Sequence, residues 1–139
     1  MSWVRVWVHI VFTTKCHEAW LSKEIRSKLF AHIRVNARKK KIWLDRIGGY
    51  DDHVHCLISL RGEQSISKIA QLIKGESSNW LNKNYFRKGK ENWQDDFWAV
   101  SCCESQLNNL RKYIENQEKH HDNLTFENEL VMFRMKNLL

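Results

Sequence analysis

Two histidines separated by one valine stand in an apolar run, GGYDDHVHCLISL, residues 48–60. Cys56, Leu57 and Ile58, which follow, give this stretch the character of a strand. Side chains two apart on a strand point to the same face, so His53 and His55 stand side by side. Neutral imidazole is a common ligand for Mn, Zn, Fe and Cu, and such a pair can reach one ion together. Taken alone, H-x-H is more often two ordinary, partly exposed histidines than a metal site.

A second stretch, LRKYIENQEKHH, residues 110–121, shifts that balance. Tyr113 and Gln117 are four apart and share a helix face, with His120 on the same side. Tyrosine can form covalent intermediates. Its phenol, with a pKa of about 10, attacks phosphorus poorly unless the phosphate is polarised, which a metal does as a Lewis acid. Taken singly, Tyr113 is better explained as a core aromatic on an amphipathic helix. His120 is better explained as a cation at a helix end.

The elements that must position these side chains follow from periodicity. Residues 3–13 alternate, with Val4, Val6, Val8, Ile10 and Phe12 on one face and Trp3, Arg5, Trp7 and His9 on the other, which predicts a strand. Residues 22–40 read as a helix with Ile25, Leu29, Ile33 and Ala37 inward. Strands are expected at 42–50 and 53–60, joined by turn chemistry at Gly48-Gly49 and Asp51-Asp52. A helix over 65–82, with Ser65 as N-cap, is followed by a basic loop at 85–92. A strand at 97–103, a helix at 105–121 and an amphipathic segment at 126–139 complete the chain. The order β-α-β-β-α-β, then helices, predicts an α+β fold: a ferredoxin-like antiparallel sheet with helices on one face, the other face left open, and C-terminal helices carrying the tyrosine.

With 139 residues, no proline, no repeat and no linker composition, residues 1–139 read as one domain. At 42% hydrophobic the chain is not disordered, and no apolar run is long enough to span a membrane. The start lacks signal-peptide features, and none of Cys16, Cys56, Cys102 and Cys103 forms a C-x-x-C pair; a cytoplasmic, reducing setting is expected. Net charge is +7 and the pI about 9.4. Basic residues gather at Arg34, Arg38, Lys39, Lys40 and Lys41, and again at Lys83, Arg87, Lys88 and Lys90. Such clusters suit a polyanion, most simply nucleic acid; solvated helix ends are the plainer alternative. Trp80, Trp93 and Trp98 read equally as core or as platforms for bases.

DDHVHCLISL followed by YIENQEKHH resembles the single-tyrosine transposases of the bacterial insertion sequences 200 and 605, members of the HUH endonucleases. VHIVFTTK resembles the family's first strand, ISKIAQLIKGESSNWLNK the helix after the histidine strand, and TFENEL its tail. The departure is GGYDD at 48–52, where the family often has another aliphatic residue or a proline. The resemblance implies that His53, His55 and Gln117 bind a divalent metal, Mg²⁺ or Mn²⁺, and that Tyr113 is the nucleophile. It implies cleavage of single-stranded DNA to a 5′-phosphotyrosine and a free 3′-OH, with rejoining by the reverse attack. It also implies hairpin recognition and a homodimer with composite sites, in which Tyr113 of one chain serves the histidine pair of the other. Two alternatives stand beside it. One is a non-catalytic ferredoxin-like nucleic-acid-binding module. The other is a metal phosphodiesterase in which water attacks.

Overall fold

Alternation of apolar side chains builds β1 (Val6–Thr13), in which Val8, Ile10 and Phe12 are buried on one side. The computed structural model describes residues 2–87 and 92–120; Lys88, Lys90, segment 126–139 and the side chain of His120 lie outside them. Helix α1 (Lys23–Lys39) starts where the Ser22 hydroxyl accepts from the Ile25 amide, and buries Leu29, Ile33 and Ala37 as a stripe. Strands β2 (Trp43–Gly49) and β3 (His53–Leu60) form a hairpin. Ser65 caps α2 (Ile66–Asn84) in the same way through the Lys68 amide. Strand β4 (Trp98–Cys102) leads to α3 (Leu107–Glu115) and the single turn α4 (Gln117–His120).

The strands pair in the order β2-β3-β1-β4, all antiparallel, with β1 and β3 central. This is the ferredoxin-like order expected for an α+β chain. On one face Val8, Ile10, Phe12, Val54, Cys56 and Ile58 pack against α1 and α2 to form the main core. Burial pushes the Cys56 thiol up to about 12. No helix among the described residues is long and apolar enough to cross a membrane.

Three expectations need correction. The first strand begins at Val6, not residue 3, because its last antiparallel partner is Leu60 at the end of β3. The second sheet face is not open. Leu107, Leu110 and Ile114 of α3 close over Leu57 there, with Trp7 and Tyr113 packed alongside. The helix expected over 105–121 is broken at Asn116, so Tyr113 and Gln117 lie on α3 and α4 respectively.

The approach of α3 to the sheet is set by a glycine. A Cβ on Gly48 would collide with the Ile114 carbonyl, and one on Gly49 would meet the His53 carbonyl. Only a residue without a side chain lets the helix backbone rest on β2 at this point. Gly48→Ala is expected to lower stability by about 1–3 kcal/mol, the usual cost of overpacking. Urea denaturation checks this, and an unchanged midpoint would contradict the close seat.

Candidate active site

The register that places Thr13 opposite His53 and Val11 opposite His55 puts both histidines on the face that α3 covers. Both are buried, at 0% and 1% exposure. A buried imidazole needs partners for its ring nitrogens, and His53 Nδ1 has one in Asp52. Its Nδ1 lies 2.7 Å from an Asp52 carboxylate oxygen, an acceptor, so Nδ1–H donates and a neutral ring presents a lone pair at Nε2.

Gln117 faces that lone pair. Its amide nitrogen donates to the Tyr113 carbonyl at 3.0 Å, which fixes the amide orientation and turns Oε1 to within 3.2 Å of His53 Nε2. Two acceptors then face each other, an arrangement that a shared proton or a cation satisfies. Ligand atoms at about 2.1 Å from a small divalent ion stand about 3 Å apart. Two imidazoles and an amide oxygen are a mixed donor set that would suit a divalent ion taking both nitrogen and oxygen, Mn²⁺ better than the oxygen-preferring Mg²⁺. The described residues hold no metal-binding group of three His, Cys, Asp or Glu side chains, so a third donor to an ion here would have to be the Gln117 amide.

Tyr113 completes the cluster from within the same chain. Its ring centre lies 5.6 Å from that of His55 and 6.3 Å from that of His9, edge to face in both cases. The two strand histidines are themselves 5.0 Å apart. All four expected residues, His53, His55, Tyr113 and Gln117, are thus brought together. Because α3 ends at Glu115, Gln117 reaches the site by turning back onto the Tyr113 carbonyl rather than along one helix face.

Ion pairs fasten the tyrosine-bearing segment. Arg111 makes a two-pronged contact with Asp45 on β2, at 2.7 and 3.2 Å. Glu115 accepts from Arg46 at 2.5 Å. Arg26, buried on α1 and lying over the Tyr50 ring, donates to the Leu21 carbonyl and to Glu118 at 2.6 Å. The Arg26 hydrogen bond holds the Glu118 carboxyl below its ordinary range, helped by the charges of Arg26 and Lys23 and opposed by burial.

The basic clusters do not form one surface. Arg34, Arg38 and Lys39 on α1, and Lys40 at its C-cap, are exposed in the helical layer behind the sheet. Lys41, just beyond them, meets Gln64 after β3, at the end of the sheet away from His53. Lys83 and Arg87, at the end of α2, lie toward the His53 end, where Asn92 reaches Asn82 and the Lys15 amide. Trp93 is core, edge-on to Phe12; Trp80 stacks on His32; Trp98 stands edge-on to His9. The expected aromatic face of β1 is divided: Trp7 is packed under α3, while Trp3 is 80% exposed.

Sequence reasoning missed Asp52, Arg26 and His9 as parts of the site. Asp52 was readable only as turn chemistry, although it directly precedes His53. Arg26 lies on the inward side of α1 beside the predicted stripe, and a buried arginine there is the signal. His9 alternates onto the face of Trp7, and its partner, His55, is 46 residues away.

Glu118 makes its pair with Arg26 acid-sensitive. Its depressed folded pKa means the contribution is present above the unfolded value of about 4.3 and is lost as pH falls through the folded one. The carboxylate is half exposed, so the effect on global stability is small. The protection of the α4 amides, relative to their intrinsic exchange rate at each pH, is expected to fall on acidification below pH about 4, before the sheet opens. In Glu118→Gln that acid step should be absent; its persistence would assign the step elsewhere.

Comparison with known proteins agrees with this fold. The family model described as "Transposase IS200 like" matches residues 2–117. The ISDra2 transposase TnpA of Deinococcus radiodurans is 25% identical over 114 residues, covering 78% of this chain and 81% of that protein. A crystal structure assigned to a transposase of Deinococcus radiodurans R1 superposes with a TM-score of 0.68 at 21% identity, covering 84% of this chain and 93% of that one. A REP-associated tyrosine transposase bound to a REP hairpin gives 0.66 at 16%, covering 87% and 72%. With residues 2–117 accounted for by that model, the chain belongs to the IS200-like transposase family.

Proposed function

We propose that this transposase cuts and rejoins single-stranded DNA at hairpin-marked ends, with Tyr113 as the nucleophile and His53, His55 and Gln117 as ligands of a divalent cation. The observation that carries the reading is convergence: a strand pair of buried imidazoles, an amide oxygen 3.2 Å from one of them and a tyrosine ring 5.6 Å from the other. A hairpin as the partner is supported by the REP-associated neighbour, whose structure holds one.

His53, His55 and Gln117 would hold a divalent ion, which when bound would supply Lewis-acid polarisation of the scissile phosphate. The chain's own residues do the rest. Tyr113 Oη bonds to phosphorus as its proton leaves; the P–O3′ bond breaks, and the departing 3′ oxygen takes up a proton. The product is a 5′-phosphotyrosine and a free 3′-OH, and attack by a 3′-OH reverses the step. Asp52 holds His53 with its Nε2 lone pair forward. The Tyr113 carbonyl holds Gln117 with its oxygen forward. α3 shields this face of the sheet from water.

Tyr113→Phe should abolish cleavage of a labelled hairpin substrate and leave binding intact, and EDTA should abolish cleavage by the unaltered chain. Cleavage at the normal rate by Tyr113→Phe would support attack by water, and binding without cleavage by the unaltered chain would support the non-catalytic module. Imidazole ligands favour Mn²⁺ over Mg²⁺, so half-maximal activity is expected at a lower Mn²⁺ concentration.

In the composite arrangement that the resemblance implies, α3 of one chain would serve the histidines of a partner in a homodimer. In this structure α3 seats on β2 of its own chain, at Gly48 and through Asp45 and Arg46, and the same contacts can form with the β2 of a partner. Mixing a His53→Ala/His55→Ala chain with a Tyr113→Phe chain separates the two. Partial recovery of cleavage is expected; no recovery while subunits demonstrably exchange would place the sites within one chain.

A further inference from the structure

One buried titratable group is not used by the reaction described above. His9, in the middle of β1, is 1% exposed. Its Nε2 lies 2.8 Å from His55 Nδ1, across the strand pair. The two rings are nearly parallel, with centres 5.0 Å apart, and Trp98 and Tyr113 stand edge-on around His9. An aliphatic side chain would pack there more simply.

We propose that His9 is a positioning residue that holds His55 in the tautomer able to ligate the cation. The proposal rests on the metal-site reading above. A neutral imidazole carries one ring proton. If His55 is to offer the Nε2 lone pair, that proton must sit on Nδ1, and Nδ1–H needs an acceptor. His9 Nε2 is that acceptor. In solution imidazole favours the opposite tautomer, so the acceptor biases the ring toward ligation. His53 has the same arrangement in a different chemistry, with Asp52 as acceptor at 2.7 Å. The two ligands are therefore oriented by one anionic and one neutral acceptor. A second carboxylate at the depth of His9 would bring a buried charge that needs its own partner. A neutral imidazole orients the ring without adding one. Outer partners of this kind tune both ring orientation and basicity of a ligating histidine.

The test uses the full chain and two readouts other than cleavage. Long-range ¹H–¹⁵N correlation spectra of the metal-free protein report which ring nitrogen of His55 carries the proton. Mn²⁺ titration by calorimetry reports affinity. The unaltered chain should show the His55 proton on Nδ1. His9→Leu should move it toward Nε2 and weaken Mn²⁺ binding by roughly 10- to 100-fold, whereas His9→Gln, whose Oε1 can stand where Nε2 does, should stay within about threefold. Cooperative unfolding of each variant verifies the fold, and His9→Met replaces His9→Leu if the latter does not fold. A folded apolar variant that binds Mn²⁺ as the unaltered chain does would overturn the proposal. So would a His55 proton on Nε2 in the unaltered chain. His55→Ala tests the underlying reading separately. If it loses Mn²⁺ while His9→Leu keeps it, only the role of His9 falls. If His55→Ala binds Mn²⁺ normally, the metal reading falls, and the role of His9 with it.

Discussion

The seat of α3 on β2 is the contact on which the rest of the site depends. The histidines belong to the sheet, whereas Tyr113 and Gln117 ride on the segment that crosses it. Nothing in chain order sets the distance between these groups; the approach of Ile114 to Gly48 does. Leu107, Leu110 and Ile114 drive that approach by burying their side chains against Leu57. The ion pairs of Asp45–Arg111, Arg46–Glu115 and Arg26–Glu118 set its direction. Partly exposed pairs of this kind each contribute only about 0–1 kcal/mol. They specify where the segment lies more than how tightly it holds.

The same contact explains how a row of imidazoles is tolerated inside the protein. His9, His53 and His55 are all buried between the central strands and α3. Burial of polar rings is costly unless hydrogen bonds replace those to water. Here Asp52 and the His9–His55 pair supply such replacements, while Gln117 turns its oxygen toward the His53 Nε2 lone pair. The network also restricts each ring to one orientation. Stability and preorganisation are therefore one structural feature in this cluster. A substitution that loosens α3 should disturb both together.

How much of this was legible in the sequence depends on the range of the interaction that decides each feature. Strand β3 was legible to its last residue, because turn chemistry at Asp51-Asp52 and the end of the apolar run bound it locally. The two long helices were legible from their stripes, and the second also from its serine cap. The start of β1 was not, since Val4 continues the alternation and only the lack of a partner beyond Leu60 stops the strand. The break at Asn116 was hidden by a helical spacing that runs straight through it. Covering of the second sheet face was also hidden, because it turns on a glycine 66 residues before Ile114. The four candidate site residues were recognisable from spacing and family resemblance. Their orienting partners were not. Asp52 looks like a turn and His9 like a surface alternation until the strands are paired. Lys83 and Arg87 lie toward the His53 end and Lys41 at the other, a division that charge counts along the chain do not reveal.

The central claim is that Tyr113, held at the histidine pair, becomes joined to DNA. The chain has three tyrosines, Tyr50, Tyr85 and Tyr113. Tyr50 is a real competitor, since it precedes Asp51 and Asp52 and lies under Arg26 near the same end of the sheet. The most direct measurement traps the protein on a hairpin-bearing single-stranded DNA in Mn²⁺, digests both components and maps the nucleotide adduct by mass spectrometry. The account predicts a 5′-phosphonucleotide on the Tyr113 peptide alone. An adduct on Tyr50 or Tyr85, or cut DNA with no protein adduct, would contradict it.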